Sequence, residues 1–144
     1  MNASTASWEW PRDATGEILV GGQPLTRVVD AIGSTPCYVY DRQRLTERAR
    51  SLRAALPETV LLHYAMKANP MPALVCHMAR CVDGIDVASA GELALALDAG
   101  ADPGSVSFAG PGKRETELTQ AVASGVLISA TGRPGMASVK RRAL

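Results

Sequence analysis

Lys67 closes the run His63-Tyr64-Ala65-Met66-Lys67, and Ala68-Asn69-Pro70 follows at once. Residues 60–66 are apolar and partly β-branched, which suits a buried strand, and Pro70 forces a turn just beyond it. A lysine at the C-terminal edge of such a strand lies where α/β folds hold ligands and where barrel strands carry catalytic side chains. Strand alternation sets Leu61, His63, Ala65 and Lys67 on one face and Val60, Leu62, Tyr64 and Met66 on the other. Among these neighbours the amine is partly desolvated. Desolvation disfavours the ammonium and favours the neutral form that attacks an aldehyde, so the chemistry in view is a Schiff base. The competing role is a lysine that snorkels from a strand end into water.

Other side chains carry weaker signals. Asp86 ends the strand Ile85-Asp86-Val87, from which its carboxylate can reach Lys67 or hold charge at a ligand's edge; a turn or helix-entry hydrogen bond is the alternative. Glu92 stands three residues after Ser89 and is explained as a capping-box partner. His63 reads as a packed core residue or a cofactor neighbour rather than as a base. Gly110-Pro111-Gly112-Lys113 invites comparison with a phosphate loop, but Ser107 and Arg114 stand where that loop needs Gly and Ser or Thr. A tight turn before a helix explains it. Cys76, His77 and Cys81 lack the spacing and the fourth ligand of a metal site, so no metal is expected.

The elements that position these residues alternate. Residues 38–41 read as a short strand, and Asp41 can cap a helix whose Leu45, Ala49, Leu52 and Leu56 share one face before Pro57 ends it. The Lys67 strand follows, then a helix over 71–80 with Leu74, Val75 and Met78 inward. Asp83-Gly84 turns the chain into the Asp86 strand, and Ser89-Ala90-Gly91-Glu92 opens a helix over 92–99 that Gly100 closes. A strand over 106–109, a helix over 115–123 and a strand over 126–128 complete the series. Such alternation with short loops implies parallel βαβ units and right-handed crossovers. Residues 1–25 form an irregular leader. Residues 129–144 form a basic tail with Arg133, Lys140, Arg141 and Arg142 and no apolar period, as a truncated or frameshifted reading frame would.

Three motifs, Tyr64-Ala65-Met66-Lys67-Ala68-Asn69-Pro70, Gly84-Ile85-Asp86-Val87-Ala88-Ser89-Ala90-Gly91-Glu92 and Phe108-Ala109-Gly110-Pro111-Gly112-Lys113, closely resemble the N-terminal barrel of the ornithine/diaminopimelate/arginine decarboxylases. The resemblance runs from about residue 22 to 127. It implies pyridoxal 5'-phosphate as cofactor, its Schiff base on Lys67, and Asp86 and Glu92 as acidic neighbours. His63 and Asp86 then count with Lys67 as cofactor-binding residues. It also implies a small amino-acid substrate, a homodimer whose sites form between subunits, and an α/β fold: an incomplete (β/α)8 TIM-type barrel with about four barrel strands, residues 26–128. The diaminopimelate decarboxylase branch is most similar, and a branch associated with exopolysaccharide and exosortase systems shares the first two motifs. The family's phosphate-binding glycines, pyridine-nitrogen acid, ring-stacking histidine and second-subunit cysteine lie beyond the matched region. A non-catalytic fragment is therefore the second reading.

Composition sets the outer limits. A whole (β/α)8 barrel takes roughly 250 residues, so 144 supply about half of one. A formal charge of +1 gives no electrostatic case for nucleic acid or an anionic membrane. No apolar stretch approaches the roughly 18 residues of a membrane helix, and residues 1–10 lack the pattern of a secretion signal. Cys37, Cys76 and Cys81 fit reduced thiols in a cytoplasm.

Overall fold

The computed structural model describes residues 9–110 and 113–129. The chain divides into two compact units, residues 1–45 and 46–144. In the first, strands β1 (Leu19–Val20) and β2 (Gln23–Pro24) pair antiparallel around Gly21-Gly22. Both glycines take positive φ, 57° and 76°, as a two-residue hairpin turn of this hand requires. Residues 9–25, expected to be irregular, thus hold a small ribbon, and the Gly-Gly pair was its signal. Helix α1 (Leu25–Ile32) follows and ends at Gly33 in the left-handed conformation.

The strand expected over residues 38–41 does not form. Tyr38 is 91% exposed, so there is no burial to reward pairing at that point. Asp41 does cap helix α2 (Arg42–Ala55), its Oδ1 accepting the N–H groups of Gln43 and Arg44.

The second unit holds the four-stranded parallel sheet β3 (His63–Ala65), β4 (Gly84–Val87), β5 (Val106–Phe108) and β6 (Leu127–Ile128), in that order. Helices α3 (Pro72–Met78), α4 (Ala90–Asp98) and α5 (Glu115–Ala123) form the successive crossovers. The alternation of elements predicts these parallel βαβ units, and the four strands match the part of a (β/α)8 barrel that the family resemblance implies.

The register sorts the sheet into two faces. Tyr64, Ile85 and Val106 form one cross-strand row and Val87, Phe108 and Ile128 another. These side chains pack with Met66, Val75, Leu93, Ala96 and Ala121 in the core. Full burial of side chains such as Phe108, Ile85 and Leu93 stabilises by roughly 1.5–3 kcal/mol each. The opposite face carries the row Ala65, Asp86, Ser107 and Leu127, with His63 beside Gly84 one step toward the strands' N-terminal ends. Leu127 on that face is 39% exposed.

The Lys67 strand is shorter than the apolar run suggests. The Leu62 N–H goes to the Asp83 side chain and the Val60 carbonyl to Arg53, so neither joins the ladder. At the other end Met66–Ala68 closes into a 3-10 turn, with the Asn69 N–H on the Met66 carbonyl at 3.1 Å. Strand alternation therefore stops at Ala65.

Candidate active site

The turn that carries Lys67 is anchored from three sides. Met66 is fully buried beneath it, and the Tyr64 phenol donates to the Asn69 carbonyl at 2.9 Å. The Asn69 side-chain oxygen accepts the Met71 N–H at 2.9 Å, which directs the chain into α3. Lys67 itself is exposed, and its amine has no hydrogen bond or ion pair among the described residues. Partial desolvation, expected from strand alternation, is not what the turn provides, because it lifts Lys67 off the pleat. Neither Tyr64 nor Asn69 stood out in the sequence; the Asn-Pro dipeptide was the signal for the second.

The contrast with Lys113 is chemical. Its ammonium donates to the Gly110 carbonyl at 2.7 Å and to the Ser129 carbonyl at 2.6 Å, joining the segments that leave β5 and β6. It also lies 5.9 Å from the centre of the Phe108 ring. A lysine held by two carbonyls is fixed as a donor. Of the chain's three lysines, Lys140 lies outside the described residues, so Lys67 is the described lysine whose amine is open.

Asp86 and His63 meet. His63 Nδ1 and Asp86 Oδ1 are 2.8 Å apart across β3 and β4, with the carboxylate about two-fifths exposed. The contact is with a neighbouring strand rather than the turn or helix-entry hydrogen bond weighed as the competing role for Asp86. The ring has room because residue 84 is glycine: a Cβ there would come within 2.6 Å of His63 Cε1. Glu92 performs the capping task, with its Oε2 on the Ala88 N–H at 2.7 Å and its own N–H on Ser89 Oγ at 3.2 Å. Both bonds fix the loop after β4.

Elsewhere the sequence candidates settle as follows. His77 Nε2 contacts Thr46 Oγ1 at 2.9 Å and Cys81 Sγ at 3.7 Å. Among the described residues no three His, Cys, Asp or Glu side chains are placed to hold a metal ion, and no helix is long and apolar enough to cross a membrane. Pro111, Gly112 and the basic residues of the tail lie outside the described residues.

Comparison with known proteins shows what the chain is similar to. Residues 42–138 match the family described as pyridoxal-dependent decarboxylase, pyridoxal binding domain. The chain is 42% identical to diaminopimelate decarboxylase of Aquifex aeolicus over 113 residues, covering 78% of this chain and 26% of that protein. It is 39% identical to the Zymomonas mobilis diaminopimelate decarboxylase over 115 residues, 77% of this chain and 27% of that protein. Among solved structures, AQ1208 from Aquifex aeolicus superposes with a TM-score of 0.75 at 38% identity, covering 83% of this chain and 30% of that one. Diaminopimelate decarboxylase from Helicobacter pylori, complexed with L-lysine, gives 0.64 at 29% identity, over 73% and 28% of the two chains. This chain spans about a quarter of the length of the curated relatives it matches. Its matched residues, its half-barrel and the order of its motifs make it a member of the pyridoxal-dependent decarboxylase family, within the pyridoxal-binding domain.

Proposed function

We propose that this chain is the cofactor-holding part of a pyridoxal-phosphate-dependent amino-acid decarboxylase, with Lys67 as the covalent attachment point and Asp86 and His63 beside the cofactor. The observation that carries this reading is the open amine of Lys67 at the C-terminal edge of a parallel sheet, against the engaged amine of Lys113. A pyridoxal aldehyde needs an unengaged amine, and the residues present fit that need.

When bound, pyridoxal phosphate supplies an electron sink for the pair left behind as a substrate's α-carboxylate departs as CO₂. The rest is the work of the chain's own residues. The anchored turn holds Lys67 at one place, so its amine can tether the cofactor and later hold or return a proton. Asp86 offers a carboxylate on the same sheet face as Ala65, two residues before the lysine. Names of relatives support a small diamino-acid substrate, diaminopimelate first, and a place in lysine formation. Family resemblance supports a homodimer in the cytoplasm.

Borohydride reduction in the presence of pyridoxal 5'-phosphate, followed by peptide mass mapping, tests the attachment point. The expected adduct is on Lys67 and is lost in Lys67→Ala. An adduct mainly on Lys113 or Lys140 would overturn the assignment.

A further inference from the structure

We infer that His63 is a positioning residue that acts through Asp86, which deepens the reading of the site just given and rests on it. Three observations carry the inference. His63 Nδ1 lies 2.8 Å from Asp86 Oδ1, and an ionised carboxylate only accepts, so Nδ1 is the donor. The other oxygen of Asp86 has no hydrogen-bond partner among the described residues, and the side chain is 42% exposed on the face away from the helices. Finally, the ring occupies space that exists only because Gly84 has no side chain: a Cβ would lie 2.6 Å from Cε1 and 2.7 Å from Nε2.

The consequence is a carboxylate with its two oxygens assigned. Oδ1 is held by the imidazole, and the carboxyl plane can no longer turn freely. Oδ2 remains to accept from a cationic or N–H-bearing group of a ligand on that face. A charge-assisted hydrogen bond of this kind fixes direction as well as energy. His63 need not touch the cofactor to matter; it decides where the Asp86 charge points. The same bond decides the tautomer of the ring, because the nitrogen engaged with the carboxylate keeps the proton. His77, the chain's other histidine, uses Nε2 for its contact with Thr46, so the two rings are distinguishable.

The test uses the 144-residue chain and two readouts. Nitrogen-15 NMR of the imidazoles at alkaline pH should find the His63 proton on Nδ1, and Asp86→Leu, which has no acceptor, should shift it toward Nε2. In absorbance titrations of Schiff-base formation, His63→Leu should weaken pyridoxal 5'-phosphate binding by about tenfold, the low end of the scale of one hydrogen bond to a charged group. His63→Asn, which keeps an N–H near the Nδ1 position, should recover most of that loss; a merely space-filling role would not distinguish Leu from Asn. An unchanged tautomer in Asp86→Leu, or unchanged binding in His63→Leu, overturns the inference. Should the parent chain form no Schiff base at all, the Lys67 reading falls, while the tautomer still decides the His63–Asp86 relation. A His63→Leu chain that fails to fold leaves the Asp86→Leu measurement to decide.

Discussion

Arg53 and Asp83 close the end of the sheet opposite Lys67. The Arg53 guanidinium meets Asp83 Oδ2 at 2.8 Å, and the same oxygen accepts the Leu62 N–H at 2.7 Å. The guanidinium also takes the carbonyls of Val60 and Pro57, each at 2.6 Å. One side-chain pair therefore gathers the loop between α2 and β3 and ties it to the start of β4, so its disruption acts on stability rather than on the Lys67 turn.

Acid should reveal this tie. The Leu62 N–H, followed by Arg53, holds the Asp83 carboxyl below its ordinary value of 3.8. A carboxyl depressed in the folded state contributes stability that is present above the unfolded value and lost as pH falls through the folded one. Urea unfolding should therefore find Asp83→Asn less stable than the parent near neutrality, with the gap closing below about pH 4. Glu117 is lowered in the same direction, chiefly by the Arg114 N–H, so some acid sensitivity persists in the variant. A gap independent of pH would count against the mechanism.

Gly84→Ala should destabilise by about 1–3 kcal/mol, the range for overpacked interiors. The new methyl would lie 2.3 Å from the Ser105 carbonyl oxygen as well as against His63. Adding His63→Ala relieves only the second clash. The double variant should therefore regain little, as measured by the urea midpoint; full recovery would place the whole strain on the histidine.

Ser89→Ala removes the acceptor for the Glu92 N–H at the start of α4 and should cost about 1 kcal/mol in thermal or urea unfolding. Glu92→Ala frees the Ala88 N–H instead, since the N–H of residue 92 that Ser89 accepts belongs to the main chain. Its effect should be partly shared with that of Ser89→Ala, because both bonds shape one loop.

Lys113→Met should lower stability by about 1 kcal/mol or more, since two carbonyls lose a charged donor. The borohydride adduct should still form on Lys67. Loss of that adduct in a folded Lys113→Met chain would show that the segments after β5 and β6 take part in presenting the lysine.

Much of this fold is legible in the sequence alone. The 3.6-residue spacing of Leu74, Val75 and Met78 and the capping pair Ser89 and Glu92 state their helices directly, because local physics decides both. Strand limits were less legible. Residues 60–62 are as apolar as a strand, yet Arg53 and Asp83, distant in sequence, take their backbone groups. Tyr38-Val39-Tyr40 has strand composition, yet Tyr38 points into solvent. At the proposed site, the motif around Lys67 is plain in the sequence because its residues are contiguous. The His63–Asp86 contact is not, because it depends on a register between strands and on a missing side chain at Gly84.

The row Ala65, Asp86, Ser107 and Leu127 crosses all four parallel strands on the face away from the helices, whereas the rows that hold the core alternate with it residue by residue. Under the function proposed above, stability and ligand chemistry are thereby written on interleaved positions of the same short strands. Sequence can drift at 65, 86, 107 and 127 without disturbing Ile85, Val87, Val106 or Phe108, so such a sheet can acquire a new specificity while its foundation stays as it was.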